Sequence, residues 1–270
     1  MYKEYSPCNI LSPYIDKFWE YKGQPEYGTK ISIPPYGCTN FVVTLGEAVN
    51  DINNDLKMQP YRCYFVGPMN TYTELMALTN SVHVLGVRFL PCGLYRLMGL
   101  PLDELVNQRC NASDLTDIFN DTFIERLCSQ HDTQSMVQIT EEFLIKYLYR
   151  RNQKIDTKIL FAVDKINRDK GILSIRSLIA DVCLCQRHFE RKFKAYTGYS
   201  PKEYSRIVKF WNAIDILRNT SYDNLLSTAV LAGYYDVPHL SREVKRLSGN
   251  TPSSFLMLPS KIDTRIYFES

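Results

Sequence analysis

Two arginines set 51 residues apart carry the strongest chemical signal in this sequence. Sliding the C-terminal part along itself by that interval places Arg191 on Arg242, Lys194 on Lys245, Gly198 on Gly249 and Pro201 on Pro252. An arginine fork bonds guanine bidentately in the major groove, and lysine and serine side chains engage phosphates, so a repeated Arg/Lys unit is chemistry suited to reading a DNA duplex. In the first copy, helical spacing puts Phe189 and Phe193 on one face and Arg187, Glu190, Arg191 and Lys194 on another. In the second, Leu240, Val244 and Leu247 form the apolar stripe, with His239, Arg242 and Arg246 outside it. Asp236 is predicted to cap this helix, and Pro238 falls in its first turn, where the missing N–H costs little.

Catalytic chemistry has less to work with. A metal site in the N-terminal part would want clustered histidines and a carboxylate, but only His83 and His131 occur there, and His83 lies within a strand pattern. The eight cysteines include no C-x-x-C pair and no histidines at metal-ligand spacing. No enzymatic activity, metal or cofactor is therefore expected. Two cysteine readings stay open as alternatives, a redox or alkylation sensor using Cys92 or the pair Cys183 and Cys185. Cys92 sits in Leu90-Pro-Cys-Gly93, which resembles the Pro-Cys setting of DNA-repair proteins that accept alkyl groups, although no His follows it. The plainer reading makes Cys92 a turn residue and the other two buried packing groups.

The elements that must position the repeated unit are helical. Asp156 is the expected cap of a helix burying Ile159, Val163 and Ile166 and stopping near Gly171. Ser174 is expected to cap a short helix with Ile175, Leu178, Ile179 and Val182 on its apolar face. Between the two copies, Lys202 to Leu217 reads as one helix about 24 Å long at 1.5 Å per residue, with Tyr204, Val208, Trp211 and Ile214 as candidate buried positions. Helix is expected to continue to about Leu258. Such a helix can hold two units about one DNA turn apart, with Lys209 available to a phosphate.

Charge agrees with this division. Residues 1–156 hold 14 Lys+Arg against 18 Asp+Glu, a balance of −4, whereas residues 157–260 hold 16 against 9, a balance of +7. Only the second part is electrostatically suited to a polyanion. The sequence opens on no charged, apolar, small-residue leader, and no run approaches the roughly 20 apolar residues of a membrane span. A soluble, cytoplasmic protein with no membrane association is the expectation.

The N-terminal part reads differently. Short runs of Val, Ile, Phe, Tyr and Thr punctuated by Pro and Gly predict strands at Thr29–Ile33, Thr39–Leu45, Tyr61–Val66, Thr71–Leu78 and Val82–Phe89, a small barrel or sandwich. After Pro101 the period becomes helical, with Leu115, Ile118, Phe119 and Phe123 on one face and Met136, Ile139, Phe143, Tyr147 and Leu148 on another. These predict two helices packing on each other or on a partner subunit, and Arg150 to Lys154 is the expected linker. Phe41, Tyr64, Tyr72 and Arg88 are candidate pocket residues, Arg88 because a buried cation suits an anionic ligand.

Residues 157–257 resemble the DNA-binding domain of the AraC/XylS family of bacterial transcription regulators. The resemblance is carried by Cys185 to Phe193 with Gly198-Tyr-Ser-Pro-Lys202, by the helix with Lys209 and Ala213, and by Ala229 with Ala232-Gly-Tyr-Tyr-Asp-Val-Pro-His-Leu-Ser-Arg242 and Gly249-Asn-Thr-Pro252. It implies seven helices, two of them recognition helices entering successive major grooves on one DNA face. By position, Gln186, Arg187, Glu190 and Arg191 would face the first groove, and Val237, Pro238, His239, Ser241 and Arg242 the second. The sequence departs from the family pattern at Cys183, where a turn glycine is common, at Cys185, where a capping serine is common, and at Val237 and Val244, where glutamine and phenylalanine are usual.

The segments Pro34 to Val43, Gly67-Pro and Val84 to Pro91 look like the cupin-like sensing domain found ahead of this DNA-binding domain in some members. The fold class expected is α+β in two domains, an N-terminal β-barrel with trailing helices and a C-terminal all-α domain with two helix-turn-helix units. The boundaries expected are 1–110 for the sensing domain, 111–154 for a helical linker that could mediate dimerisation, 155–260 for the DNA-binding domain and 261–270 for a tail. The implied function is a sequence-specific transcription regulator, an activator among the possibilities. Its implied partners are double-stranded DNA, RNA polymerase, a second copy of the chain and an unidentified small-molecule effector, with control by a protein partner as the alternative to an effector.

Overall fold

The computed structural model describes residues 1–46, 48–150, 156–219, 225–256 and 267–268. Most of the expected linker, Leu258 and most of the expected tail lie outside them. The chain forms an α+β structure of two parts, a sheet-rich N-terminal part and a helical C-terminal part.

The five strands legible in the sequence are joined by several that are not. In chain order the N-terminal strands are β1 Tyr2–Tyr5, β2 Ile15–Gly23, β3 Lys30–Ile33, β4 Asn40–Thr44, β5 Val49–Asp51, β6 Leu56–Met58, β7 Arg62–Val66, β8 Thr73–Ala77, β9 Val82–Phe89 and β10 Arg109–Asn111. Strand β11, Tyr267–Phe268, pairs antiparallel with β3. The expected barrel does not close: the strands form one sheet in the order β1-β2-β9-β4-β7-β10 and a second in the order β11-β3-β8-β5-β6. Closure depends on hydrogen bonds between sheet edges, which strand-length runs do not encode. In β2 the register slips between Ile15 and Lys17, which breaks a simple alternation.

Alternation along the first sheet separates two environments. Phe41 and Val43, Cys63 and Phe65, and Leu85, Val87 and Phe89 enter one core together with Phe119, Phe123, Leu127, Val137 and Leu144. The helices carrying these partners are α2 Asp121–Cys128 and α3 Thr133–Arg150, preceded by α1 Gly93–Met98. Helices α2 and α3, which fall in the expected helical linker 111–154, cover the outer face of the sheet and share its core. Leu115, Ile118 and Phe119 lie ahead of α2, in a turn and a bend that follow the 3-10 segment Ala112–Asp114; only Phe123 of that expected face is helical.

The helical part contains α4 Thr157–Arg168, α5 Ile175–Val182, α6 Gln186–Thr197, α7 Pro201–Asn219, α8 Leu225–Leu231, α9 Val237–Ser248 and α10 Pro252–Leu256. The Asp156 side chain accepts from the Lys158 amide at the start of α4, whose buried face is Ile159, Ala162, Val163 and Ile166. Ser174 occupies the cap position of α5 without a side-chain cap bond. Helix α7 is the shared beam, since Tyr204 and Ile207 join the core of α4 to α6 while Phe210, Ala213, Ile214 and Leu217 join that of α8 to α10. Trp211 and Val208 are only half-buried on this beam.

Candidate nucleic-acid interface

Each copy of the repeat is a short helix, a tight turn and a longer helix. The first turn runs from α5 through Cys183, held in the left-handed region at φ 50°, to Cys185, the N-cap of α6, which makes no side-chain cap bond. Left-handed backbone is unfavourable for a residue with a Cβ, so cysteine strains this turn where glycine would not. The second turn is better built, because the Asp236 carboxylate accepts from the His239 amide at 2.7 Å and Pro238 sits in the first turn of α9.

On α6, Phe189 and Phe193 are fully buried, whereas Gln186, Arg187, Arg191 and Lys194 are exposed and Glu190 is half-exposed. The Gln186 amide donates to Glu190 at 2.9 Å, and Arg191 lies 3.3 Å from the ring nitrogen Nδ1 of His188. On α9, Leu240, Val244 and Leu247 are buried, Arg242 and Lys245 are exposed and His239 and Ser241 are half-exposed. The His239 ring meets Tyr234 edge-on at 5.3 Å. Both copies end alike: Thr197 donates to the Phe193 carbonyl at 2.8 Å and Ser248 to the Val244 carbonyl at 2.7 Å, each just before a left-handed glycine, Gly198 or Gly249. Thr197 and Ser248 are also 51 apart, and this duplicated hydroxyl went unread because Thr and Ser do not align as identities.

Lys209 makes contacts within the helical part. Its amine donates to the Gly233 carbonyl and lies 4.4 Å above the centre of the Tyr234 ring, so it braces the second turn from α7. Another brace escaped the sequence. Glu243 on α9 pairs with Arg206 on α7, and charge type alone could not show which of the surrounding cations it would meet.

A second candidate site lies between the two sheets. There the inward-facing residues Asn40, Val42 and Thr44, Val82 and Val84, Trp19 and Tyr21, and Ile31, Val49, Leu75 and Ala77 surround a cavity of about 130 Å³. Arg88 and Arg109 are on its wall. The Arg88 guanidinium, buried, lies 4.5 Å above the Tyr36 ring. Arg109 Nε is 3.0 Å from the fully buried Asp51, and burial lowers the Arg109 pKa against the opposing pull of Asp51. Among the expected pocket residues Arg88 alone lines this cavity. Phe41 faces the helices on the opposite side of β4, stacked on Phe119 at 3.9 Å; strand alternation decides this, since 40, 42 and 44 face inward. Tyr64 lies on the inner face but packs with Val42 and Met58, its hydroxyl accepting from the Gln59 amide. Tyr72 packs against Gly249 in the helical part.

The remaining candidates are placed as follows. His83 bonds Glu20 at 2.9 Å within the sheet, and no cluster of three metal-binding side chains occurs among the described residues. Cys92 is buried at a left-handed position, and burial pushes its thiol up to about 12, which leaves it protonated and a poor nucleophile. Cys183 and Cys185 are exposed, not buried, and all eight cysteines are free thiols. Among the described residues no helix is long and apolar enough to cross a membrane.

Residues 178–257 match the helix-turn-helix domain family, spanning both turns and both exposed arginine faces. The C-terminal part is an AraC-type helix-turn-helix domain. Ahead of this AraC-type domain, residues 3–111 match a domain of unknown function, DUF6597. The chain is similar in fold to ToxT from Vibrio cholerae, at 11% identity and a TM-score of 0.54 over 90% of this chain and 99% of that one. A second ToxT structure, described as bound to unsaturated fatty acid, aligns at 13% identity and a TM-score of 0.51 over 91% and 96% of the two chains. The AraC-type domain also aligns with that of a Chromobacterium violaceum regulator at 24% identity, over 39% of this chain and 94% of that one, with a TM-score of 0.36. Among curated proteins no sequence matches significantly.

Proposed function

We propose that this chain is a sequence-specific DNA-binding transcription regulator that places α6 and α9 in successive major grooves. The observation that carries this reading is the duplicated presentation of an exposed arginine, Arg191 or Arg242, on a helix whose opposite face is buried and whose end is a glycine turn. Helix α7 has 19 residues, about 28 Å at 1.5 Å per residue, which suits two grooves about one turn apart. Gln186, Arg187, Glu190 and Arg191 read the first block, and His239, Ser241 and Arg242 the second. Lys194 and Lys245 engage phosphate. The domain arrangement that goes with this reading is a sensing domain over 1–110, a helical segment over 111–154 and a DNA-binding domain over 155–260. RNA polymerase and a second copy of the chain are partners of such a regulator once it is bound at a promoter.

The sheet-rich domain holds the effector. An unfilled apolar cavity favours a small ligand over control by a protein partner, and Arg88 at its wall suits an anion. A carboxylate with an apolar body matches both features, the class to which the unsaturated fatty acid named for ToxT belongs.

Selection of bound duplexes from a random pool tests the DNA reading. One asymmetric motif with two short blocks about a helical turn apart is expected, one block eroded by Arg191→Ala and the other by Arg242→Ala. Normal discrimination by both variants would overturn the placement of the reading helices.

A further inference from the structure

Four residues of one short segment of the sheet-rich domain, Pro68, Met69, Thr71 and Tyr72, touch the ends of both candidate reading helices. Pro68 packs on Gly198 so closely that a Cβ there would lie 2.2 Å from the proline ring. The Tyr199 hydroxyl, one residue on, donates to the Met69 carbonyl at 2.9 Å. Thr71 then donates to the Arg246 carbonyl at 3.0 Å, and the Tyr72 ring lies against Gly249, 3.1 Å from where a Cβ would stand. Gly198 and Gly249 are equivalent positions of the 51-residue repeat, both left-handed, at φ 78° and 75°. From β3, Ser32 adds a hydrogen bond to the Ser248 carbonyl at 3.0 Å.

These bonds have a clear physical basis. The last carbonyls of a helix have no partner within it, and a glycine turn exposes backbone that a neighbouring ring can approach. Two hydroxyls of the sheet-rich domain supply donors to the end of α9, while its Met69 carbonyl accepts from the residue that follows the glycine turn of α6. Helix α7 joins the two units by entering both of their cores, and the contacts from Pro68–Tyr72 to the ends of α6 and α9 supply a second link between them.

Resting on the DNA reading above, we propose that the segment Pro68–Tyr72 is a bridge that fixes the separation and angle of α6 and α9, and so sets which spacing between two DNA blocks the protein accepts. Its residues are positioning residues, and none of them touches DNA. Met69 of the bridge also lines the cavity between the sheets, as do Gly67 and Thr73 on either side of the bridge.

The test compares the full chain with Thr71→Val/Tyr72→Ala, a change at an exposed and a half-buried residue outside both cores. On the selected duplex, lengthening or shortening the spacer by one base pair should cost the parent about tenfold in affinity, equivalent to about 1.4 kcal/mol. The variant should keep the base preference of each block and lose little on the same changes. Equal losses in parent and variant would overturn the bridge. Hydrogen exchange without DNA gives a separate readout: the Gly249 and Asn250 amides should exchange faster in the variant, and unchanged exchange would overturn the bridge whatever the DNA result. A parent that selects no motif, together with faster exchange at those amides, would instead sink the DNA reading and the role in spacing with it, leaving only the mechanical contact.

Discussion

Glu243 on α9 accepts two hydrogen bonds from the Arg206 guanidinium on α7, at 2.6 and 3.0 Å. The fork ties α9 to α7 beside Arg242 and acts together with the buried Leu240, Val244 and Leu247 stripe, whose burial leaves Arg242 exposed. Burial raises the Glu243 pKa, but the bonds from Arg206 and the charges of Arg246 and Arg206 outweigh it and hold the carboxyl below its usual range. Glu243→Gln keeps the volume and loses the charge. With Arg206 partly exposed, it should cost about 1 to 2 kcal/mol in chemical denaturation. In footprinting, the block read by α9 should weaken more than the block read by α6, and equal weakening would argue against a local role.

Lys209 gives a sharper contrast. Because its amine braces the Gly233 carbonyl, Lys209→Met should reduce binding chiefly at the second block and leave the salt dependence of binding unchanged. A lysine neutralising a phosphate would instead reduce the slope of log affinity against log salt by about one on removal.

The first turn should be improvable. Cys183→Gly relieves a left-handed backbone, and Cys185→Ser adds a cap oxygen where none bonds now, each worth about 1 kcal/mol. Both substitutions should raise the denaturation midpoint of the helical part without altering the selected motif. If blocking these two exposed thiols with a small alkylating reagent abolished DNA binding while the double variant bound normally and became insensitive, a thiol-sensing role would replace the purely structural one.

Acid should weaken the sheet-rich domain first. Burial raises the Glu20 pKa, but hydrogen bonds from Lys22, Thr133 and His83 outweigh it and lower the pKa from 4.5 to about 2. A depressed carboxyl contributes stability that is fully present above its unfolded value and is lost as pH falls, here between about 4.5 and 2. The contribution is about 3 kcal/mol, and it ties the start of α3 at Thr133 to β2. Glu20→Gln should flatten the fall in stability across that window; an unchanged slope would show that other carboxyls dominate.

The cavity can be probed directly. A long-chain carboxylate should raise the thermal midpoint of the parent, as a ligand that binds only the folded state must. Arg88→Met should abolish the shift, whereas Phe41→Leu, on the far side of β4, should preserve it. A shift that survives Arg88→Met would place the carboxylate elsewhere.

Local physics made much of this protein legible in its residues. The helical repeat, its caps at Asp156 and Asp236 and its buried Phe189/Phe193 and Leu240/Val244/Leu247 stripes follow from spacing at 3.6 residues per turn, which needs no knowledge of the rest of the chain. Five strands followed from composition and punctuation. Tertiary structure alone decided the remainder. Whether strands close into a barrel or split into two sheets depends on edge partners far away in sequence, and which face of β4 meets a cavity depends on what covers the other face. Phe41 was placed on the helix side by Phe119 and Phe123, and Lys209 and Glu243 received their partners from packing. A long charged side chain can reach several groups, so its type states what it can bond and the fold determines which.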